Sequence, residues 1–335
     1  MRILSVDDIR KLIAKVSLEQ FFLELIKELK QDFARWQSFQ KSPRHASYYP
    51  QGVIELMPIS DDRYYSFKYV NGHPENARKN RLTVVATGQL SHVDSGYPIL
   101  YTEMTLLTAM RTAATSALAS TFLAPSGAKT FGIIGTGAQS EFQVLAHLFS
   151  LGITDVFYFD LDVKAMAKFE KNLSSFPIKL HRCSSAEQVL RRSLIVTTAT
   201  AQKGHNKILQ SPWIEKGIHI NKIGGDSPGK TEIDPAIIQK SKIVVELLEQ
   251  TIVEGEIQKC PGKKIYAELW ELASGQKEGR TDASEITLFD SVGFALEDYS
   301  VLRLVERLAK EHRAGHEHVM TPEIENSKDL FGLLI

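Results

Sequence analysis

Phe131-Gly-Ile-Ile-Gly135-Thr-Gly137-Ala-Gln-Ser140 follows the apolar, strand-like run Thr130–Ile134 and opens a helical pattern from Ala138 to Leu151. In that setting Gly135 supplies a tight turn. Gly137 lets backbone N–H groups approach a pyrophosphate at the helix N-terminus. Ser140 replaces the third glycine of the dinucleotide fingerprint, so the loop alone is an incomplete match. The next apolar run, Val156-Phe-Tyr-Phe, ends in Asp160, 25 residues after Gly135. That is close to the interval of about 20 residues at which an acid meets the adenosine ribose. A carboxylate there accepts from the ribose hydroxyls and repels a 2′-phosphate, which favours NAD over NADP. The competing reading is a glycine turn that binds no dinucleotide. Asp162 takes the place of Asp160 if the strand runs longer.

Downstream, strands are expected at Leu194–Thr198, Ile218–Ile223 and Lys242–Glu246, with helical patterns between several of them. Strands alternating with helices predict a parallel sheet covered on both faces. A last strand, Glu285–Phe289, leads into an amphipathic helix from Phe294 to about His312, long enough to return to the preceding domain. Upstream, residues 5–40 read as helix, because apolar residues recur at three- and four-residue steps. Strand patterns follow at 53–58, 64–70, 82–90 and 98–102, and the Ala/Thr-rich run Thr105–Leu123 reads as a helix. Ala124-Pro-Ser-Gly marks the boundary. The architecture predicted is an α+β domain followed by a doubly wound α/β domain, matching the two domains that 335 residues suggest.

There are 40 Lys+Arg and 40 Asp+Glu, so no global field holds the chain on nucleic acid or an anionic membrane. The 43% hydrophobic and 24% charged fractions are those of a soluble globular protein. The N-terminus reaches Asp7-Asp8 without an apolar signal segment, and Thr105–Ala124 is too polar for a lipid-exposed span. Cys183 and Cys260 lie outside any CxxC spacing. A cytoplasmic protein is expected.

Gly224-Gly225-Asp226-Ser-Pro-Gly-Lys230 closes the strand Ile218–Ile223, at the edge where open parallel sheets bind ligands. Two glycines let the backbone pass a flat ring. Asp226 beside it becomes a proton shuttle if partial desolvation raises its pKa. Equally, Gly-Gly-Asp is a turn that Asp226 caps. Thr200 is another polar residue on this edge. Arg44, Lys68 and Arg111 lie among apolar or small residues, so each calls for an anion, such as a substrate carboxylate, or else snorkels to solvent. Glu55 is the matching acid, placed to hold a substrate ammonium. His312, His316 and His318 lack Cys or Asp partners and read as a solvated tail rather than a metal site.

From about Val53 to Arg303 the chain resembles the ornithine cyclodeaminase branch of the ornithine cyclodeaminase and mu-crystallin superfamily. The motifs that carry it include Gly52-Val-Ile-Glu-Leu-Met-Pro, Phe67-Lys-Tyr-Val-Asn-Gly-His-Pro, Thr108-Ala-Met-Arg-Thr-Ala-Ala-Thr-Ser and Gly224-Gly-Asp-Ser-Pro-Gly-Lys-Thr-Glu. Glu254-Gly-Glu-Ile-Gln and Phe289-Asp-Ser-Val-Gly-Phe-Ala-Leu-Glu-Asp-Tyr complete them. The resemblance implies a Rossmann-type NAD-binding domain, 129–310. It also implies a substrate-binding and dimerisation domain, 1–128, joined by the C-terminal segment 311–335. It implies Asp226 as catalytic acid/base, with Arg44, Glu55, Lys68, Arg111 and Val292 around the substrate. Thr83, Arg111, Gly135, Gly137, Ala138, Gln139, Asp160, Thr200, Asn221, Lys222, Ile223, Lys230 and Ser291 would meet NAD. Lys222 departs from the family pattern, which has a small or apolar residue there. The implied reaction converts L-ornithine to L-proline and ammonia, by hydride transfer to NAD⁺, ring closure, ammonia loss and hydride return, in a homodimer. The alternatives are an NAD-dependent amino acid dehydrogenase, a lysine cyclodeaminase, a ketimine reductase and a non-catalytic crystallin-like binding protein.

Overall fold

The structure, a computed structural model, describes residues 1–200, 205–225 and 228–335. The chain opens with strand β1 (Arg2–Leu4) and two helices, α1 (Val6–Val16) and α2 (Leu18–Ala34). The helix expected over 5–40 is thus divided. Ser17 takes a positive φ of 79° and caps α2 through its hydroxyl, which accepts from Gln20 N at 3.2 Å. Ser5 and Asp8 form a capping box at the start of α1. Five strands follow: β2 (His45–Tyr49), β3 (Gly52–Ser60), β4 (Tyr64–Gly72), β5 (Ala86–His92) and β6 (Pro98–Glu103). The strand expected from residue 82 begins only at Ala86. Before it, Val85 N donates to the Asn71 side chain rather than to a continued ladder.

Helix α3 (Thr105–Leu123) leads to β7 (Thr130–Ile134), α4 (Ser140–Leu151), β8 (Asp155–Phe159), α5 (Val163–Leu173), β9 (Lys179–Arg182), α6 (Ala186–Leu190) and β10 (Ile195–Thr198). Then come β11 (His205–Leu209), β12 (His219–Lys222), β13 (Thr231–Ile233), α7 (Pro235–Lys240), β14 (Lys242–Val245), α8 (Leu248–Glu254), β15 (Ala267–Glu268), α9 (Leu269–Ala273) and β16 (Thr287–Asp290). Helix α10 (Ala295–His312) and β17 (His316–Glu317) end the ordered elements named here.

Two sheets organise these elements. The first has the order β17-β1-β6-β5-β4-β3-β2, an antiparallel meander from β2 to β6 with β1 parallel to β6. Side chains alternate across it, so Ser66, Lys68 and Val70 of β4 point inward while Tyr65 and Tyr69 are exposed. The second sheet is parallel throughout, in the order β15-β14-β16-β12-β10-β7-β8-β9. The chain winds from β7 outward to β8 and β9, then returns past β7 to β10 and β12. The switch point between β7 and β10 opens beside the Gly135 loop.

Helix α3 lies between the layers, against α2, α4, α10, β12 and β16, and is buried along nearly its whole length. Its Ala, Ser and Thr residues permit that close approach. The hydroxyls of Thr115 and Ser116 are satisfied by the carbonyls one turn back. Helix α10 packs on α2 and across β3, β4 and β5. The long C-terminal helix expected to return to the first layer does so from Ala295, with its buried face against the first sheet. His316 pairs with Ile3 in an exposed two-residue strand. Among the described residues no helix is long and apolar enough to cross a membrane, and no group of three His, Cys, Asp or Glu side chains is placed to hold a metal ion.

Candidate active site

Gly135 begins the turn after β7 with a φ of 95°, and its N–H donates to Phe159 O at 2.9 Å. A Cβ there would stand 2.6 Å from Ala199 O, so the position excludes a side chain. Gly137 differs: a Cβ there would meet nothing within 4 Å, which leaves an open cradle at the start of α4. The Gln139 Oε1 atom is buried there without a hydrogen-bond partner, while Ala138 is exposed. Ser140, in place of the third glycine, is buried and donates to Gly137 O at 2.8 Å. Asp160 ends β8 and accepts from Thr136 N at 2.6 Å and from Asp162 N at 2.9 Å. Asp162 instead caps α5. An open backbone cradle, an unpaired amide oxygen and a fixed carboxylate at the switch point fit a dinucleotide.

The substrate candidates converge on the Val292–Gly293 turn after β16. Arg44 donates to the carbonyls of Val292 and Gly293, the latter at 2.7 Å, and pairs with Glu55 at 3.1 Å and Glu254 at 3.3 Å. Gln250 bridges the same groups, accepting from Arg44 N at 3.2 Å and donating to Gly293 O at 2.7 Å. Lys68 pairs with Asp298 at 2.9 Å. Arg111 Nε lies 3.0 Å from Asp298, and its Nη1 donates to Glu297. Gly293, with φ 76°, lets the guanidinium approach: a Cβ would sit 2.7 Å from Arg111 Nη1. Lys68 and Arg111 are buried, which removes the snorkelling alternative.

Burial and the neighbouring Arg111 charge pull the Lys68 ammonium down to about 8, against the pull of Asp298. Burial disfavours the Arg111 cation as well, but Asp298 and Glu297 outweigh it and raise its pKa. Glu246, at the end of β14, accepts from Ser291 Oγ and from the N–H of Gly293. Burial, and then the charge of Glu297, push its carboxyl up to about 8.

The remaining candidates divide. Thr200 Oγ1 donates to Glu232 at the strand-end crevice, and Ile223 N bonds to Thr198 O. Lys230 lies across the same loop, with its carbonyl beside Gly225. The Asn221 side chain faces the other way, donating to Ser120 Oγ of α3 at 2.9 Å. Lys222 is wholly buried and reaches Gly225 O, Asp290 and Glu256. Thr83 lies between β4 and β5, its carbonyl accepting from His73 N. Asp226 lies outside the described residues. Sequence reasoning missed Glu246, Gln250, Glu254, Glu297 and Asp298. The usable signal was Glu297-Asp298, two adjacent acids within an apolar helical run.

The sequence model of the ornithine cyclodeaminase/mu-crystallin family matches residues 6–313. The chain belongs to this family. An ornithine cyclodeaminase of Brucella suis biovar 1 is 48% identical over 331 residues, covering 99% of this chain and 92% of that protein. Among solved structures of the family's fold, an archaeal alanine dehydrogenase dimer with bound NAD is 31% identical with a TM-score of 0.88, covering 96% and 99% of the two chains. A lysine cyclodeaminase that recognises L-lysine, L-ornithine and L-2,4-diaminobutyric acid is 25% identical with a TM-score of 0.91, covering 99% of each. The chain thus shares its fold, a Rossmann-type layer beside a second, α+β layer, with proteins solved as nicotinamide-cofactor complexes.

Proposed function

We propose that the chain is an NAD-dependent ornithine cyclodeaminase that forms L-proline and ammonia. The observation that carries this reading is the buried cluster at Val292–Gly293. There, among the described residues, Glu55, Glu254, Glu297 and Asp298 gather around Arg44, Lys68 and Arg111. A substrate with one carboxylate and two ammonium groups meets both signs of charge there, whereas a mono-amino acid has no second ammonium to offer the acids. The close full-length similarity to ornithine cyclodeaminases supports the same substrate.

Bound at the Gly135 loop, the dinucleotide supplies a reversible hydride acceptor for the substrate Cα. Arg44, Lys68 and Arg111 hold the carboxylate, and Glu55 orients the terminal ammonium. Asp226 takes a proton from the α-ammonium and later returns one to the departing ammonia. Holding both ends of ornithine brings its δ-amine onto C2, so ring closure gains from proximity. Thr83, Ala138, Gln139, Asp160, Thr200, Ile223, Lys230 and Ser291 belong to the cofactor side of this reading. The first sheet, α10 and β17 form its substrate-binding and dimerisation domain, and residues 129 to about 294 the NAD domain.

The test is a product assay with purified protein, NAD⁺ and L-ornithine or L-lysine, quantifying imino acid, ammonia and NADH together. Proline and ammonia in equal amounts without accumulated NADH are expected. Stoichiometric NADH would make the protein a dehydrogenase instead. Asp226→Asn should lower turnover by about 10²-fold or more.

A further inference from the structure

The loop between β12 and β13 carries Asp226, and the described residues at both of its ends are fastened by one buried cluster. Lys222 closes β12, and its ammonium donates to Gly225 O, the carbonyl immediately before Asp226. The same ammonium lies 3.4 Å from Asp290 and 3.9 Å from Glu256, and all three residues are buried. Glu256 holds the far end of the loop, accepting from Glu232 N at 2.6 Å and Ile233 N at 3.1 Å. Asp290 in turn fixes Glu256, accepting from the N–H groups of Glu256 at 3.0 Å and Ile257 at 3.1 Å. Gly225 has no room for a side chain, since a Cβ would stand 2.6 Å from Lys222 Nζ and 2.9 Å from Lys230 O.

We propose that Lys222, Asp290 and Glu256 form a clamp that positions the Gly224–Gly225 backbone, and with it the adjoining Asp226, for proton transfer. Lys222 is then a positioning residue, and its place beside the cofactor edge is explained without any contact to the nicotinamide. Burial pushes the Glu256 carboxyl up to about 7, and the Lys222 charge opposes that rise, so removing the ammonium weakens the anchor at the other end of the loop as well. The proposal rests on the reading of Asp226 as acid/base.

Three variants, Lys222→Met, Lys222→Gln and Asp226→Asn, test it as full-length holoenzymes with NAD⁺ and L-ornithine. Misplacing a reacting group by about 1 Å costs up to about 10²-fold in rate. Lys222→Met should therefore lower kcat by about 10- to 100-fold, while KM for ornithine and the NAD⁺ Kd stay within about twofold. The solvent deuterium isotope effect on kcat should rise, because proton transfer becomes limiting; a simple loss of folded enzyme leaves that ratio unchanged. Lys222→Gln keeps one donor for Gly225 but no charge for the carboxylates, and should show the same pattern if Lys222→Met does not fold. Wild-type kcat in either folded variant, or a loss confined to KM and NAD⁺ affinity, overturns the clamp. Near-wild-type turnover in Asp226→Asn overturns instead the acid/base reading on which the clamp depends.

Discussion

Gly135 and Gly137 are two residues apart and constrained by different things. Gly135 has φ 95° and the Ala199 carbonyl against it, so Gly135→Ala strains the backbone and the packing together. Positive φ alone costs a non-glycine residue about 1–3 kcal/mol, and the melting temperature should fall accordingly. Gly137 is exposed, with open space where a Cβ would go. Gly137→Ala should leave the melting temperature within a degree or so of wild type, roughly the neutral range of surface changes, yet weaken NAD⁺ binding by about 10-fold, or about 1.4 kcal/mol. Calorimetry and an NAD⁺ titration on both variants check this, and equal thermal losses would mean that Gly137 too is held by protein rather than kept free for ligand. The glycine loop and the three cations were legible from sequence because glycine and buried charge are conspicuous against apolar neighbours. Glu55 was legible with them, 11 residues from Arg44, but Glu254, Glu297 and Asp298 were not, because each lies far along the chain from its cation. Arg111 and Glu297 are 186 residues apart, and Lys68 and Asp298 are 230 apart.

Element boundaries depend on such distant partners in the same way. The limits of α3 were readable because Ala124-Pro-Ser-Gly stops it, but its composition made sense only with neighbours on every side. Where α3 and α4 meet β12 and β16, a buried polar network replaces apolar contact. His147 Nε2 pairs with Ser120 Oγ at 2.9 Å, Asn221 donates to the same hydroxyl, and His219 pairs with Asn221 and Thr287. Burial lowers the His147 pKa from 6.5 to about 4. Burial, and then the charge of His147, lowers that of His219 to about 3. Both rings are neutral when folded, whereas the unfolded chain takes up protons near pH 6.5. The unfolded state therefore binds more protons below that pH, and stability falls on acidification. The network is intact above pH 6.5 and should cost about 2 kcal/mol per ring by pH 5, because one pKa unit is worth about 1.4 kcal/mol. Urea unfolding at pH 7 and pH 5 measures the drop. His147→Gln, which does not titrate there, should show a visibly smaller one. An unchanged drop would place the acid sensitivity elsewhere.

At the scale of the whole molecule, the parallel sheet was readable because apolar strands such as Thr130–Ile134 and Asp155–Phe159 alternate with helices. The first sheet was less so: β17 and β2 are short edge strands, and β1 sits between β17 and β6, a pairing that joins opposite ends of the chain. That sheet also presents two unlike faces. Inward, β3 and β4 direct Glu55, Met57 and Lys68 toward α10 and the cluster at Gly293. Outward, Leu56 and Tyr69 are direct cross-strand partners, 39% and 42% exposed, with Tyr65 on the same face of β4 and also exposed. A contiguous apolar and aromatic patch of this kind on a well-packed sheet marks an association surface, and the homodimer of the proposed function would use it. Leu56→Glu and Tyr69→Glu place like charges across any twofold there without touching the inward face. Light scattering should then report twice the chain mass of 37.5 kDa for the wild type and the single-chain mass for the double variant. Arg44, Glu55, Lys68 and Arg111 all come from one chain, so the monomer should keep measurable ornithine turnover. A dimer that survives both substitutions would move the interface to another surface, and a wild-type monomer would leave the exposed aromatic face without this partner.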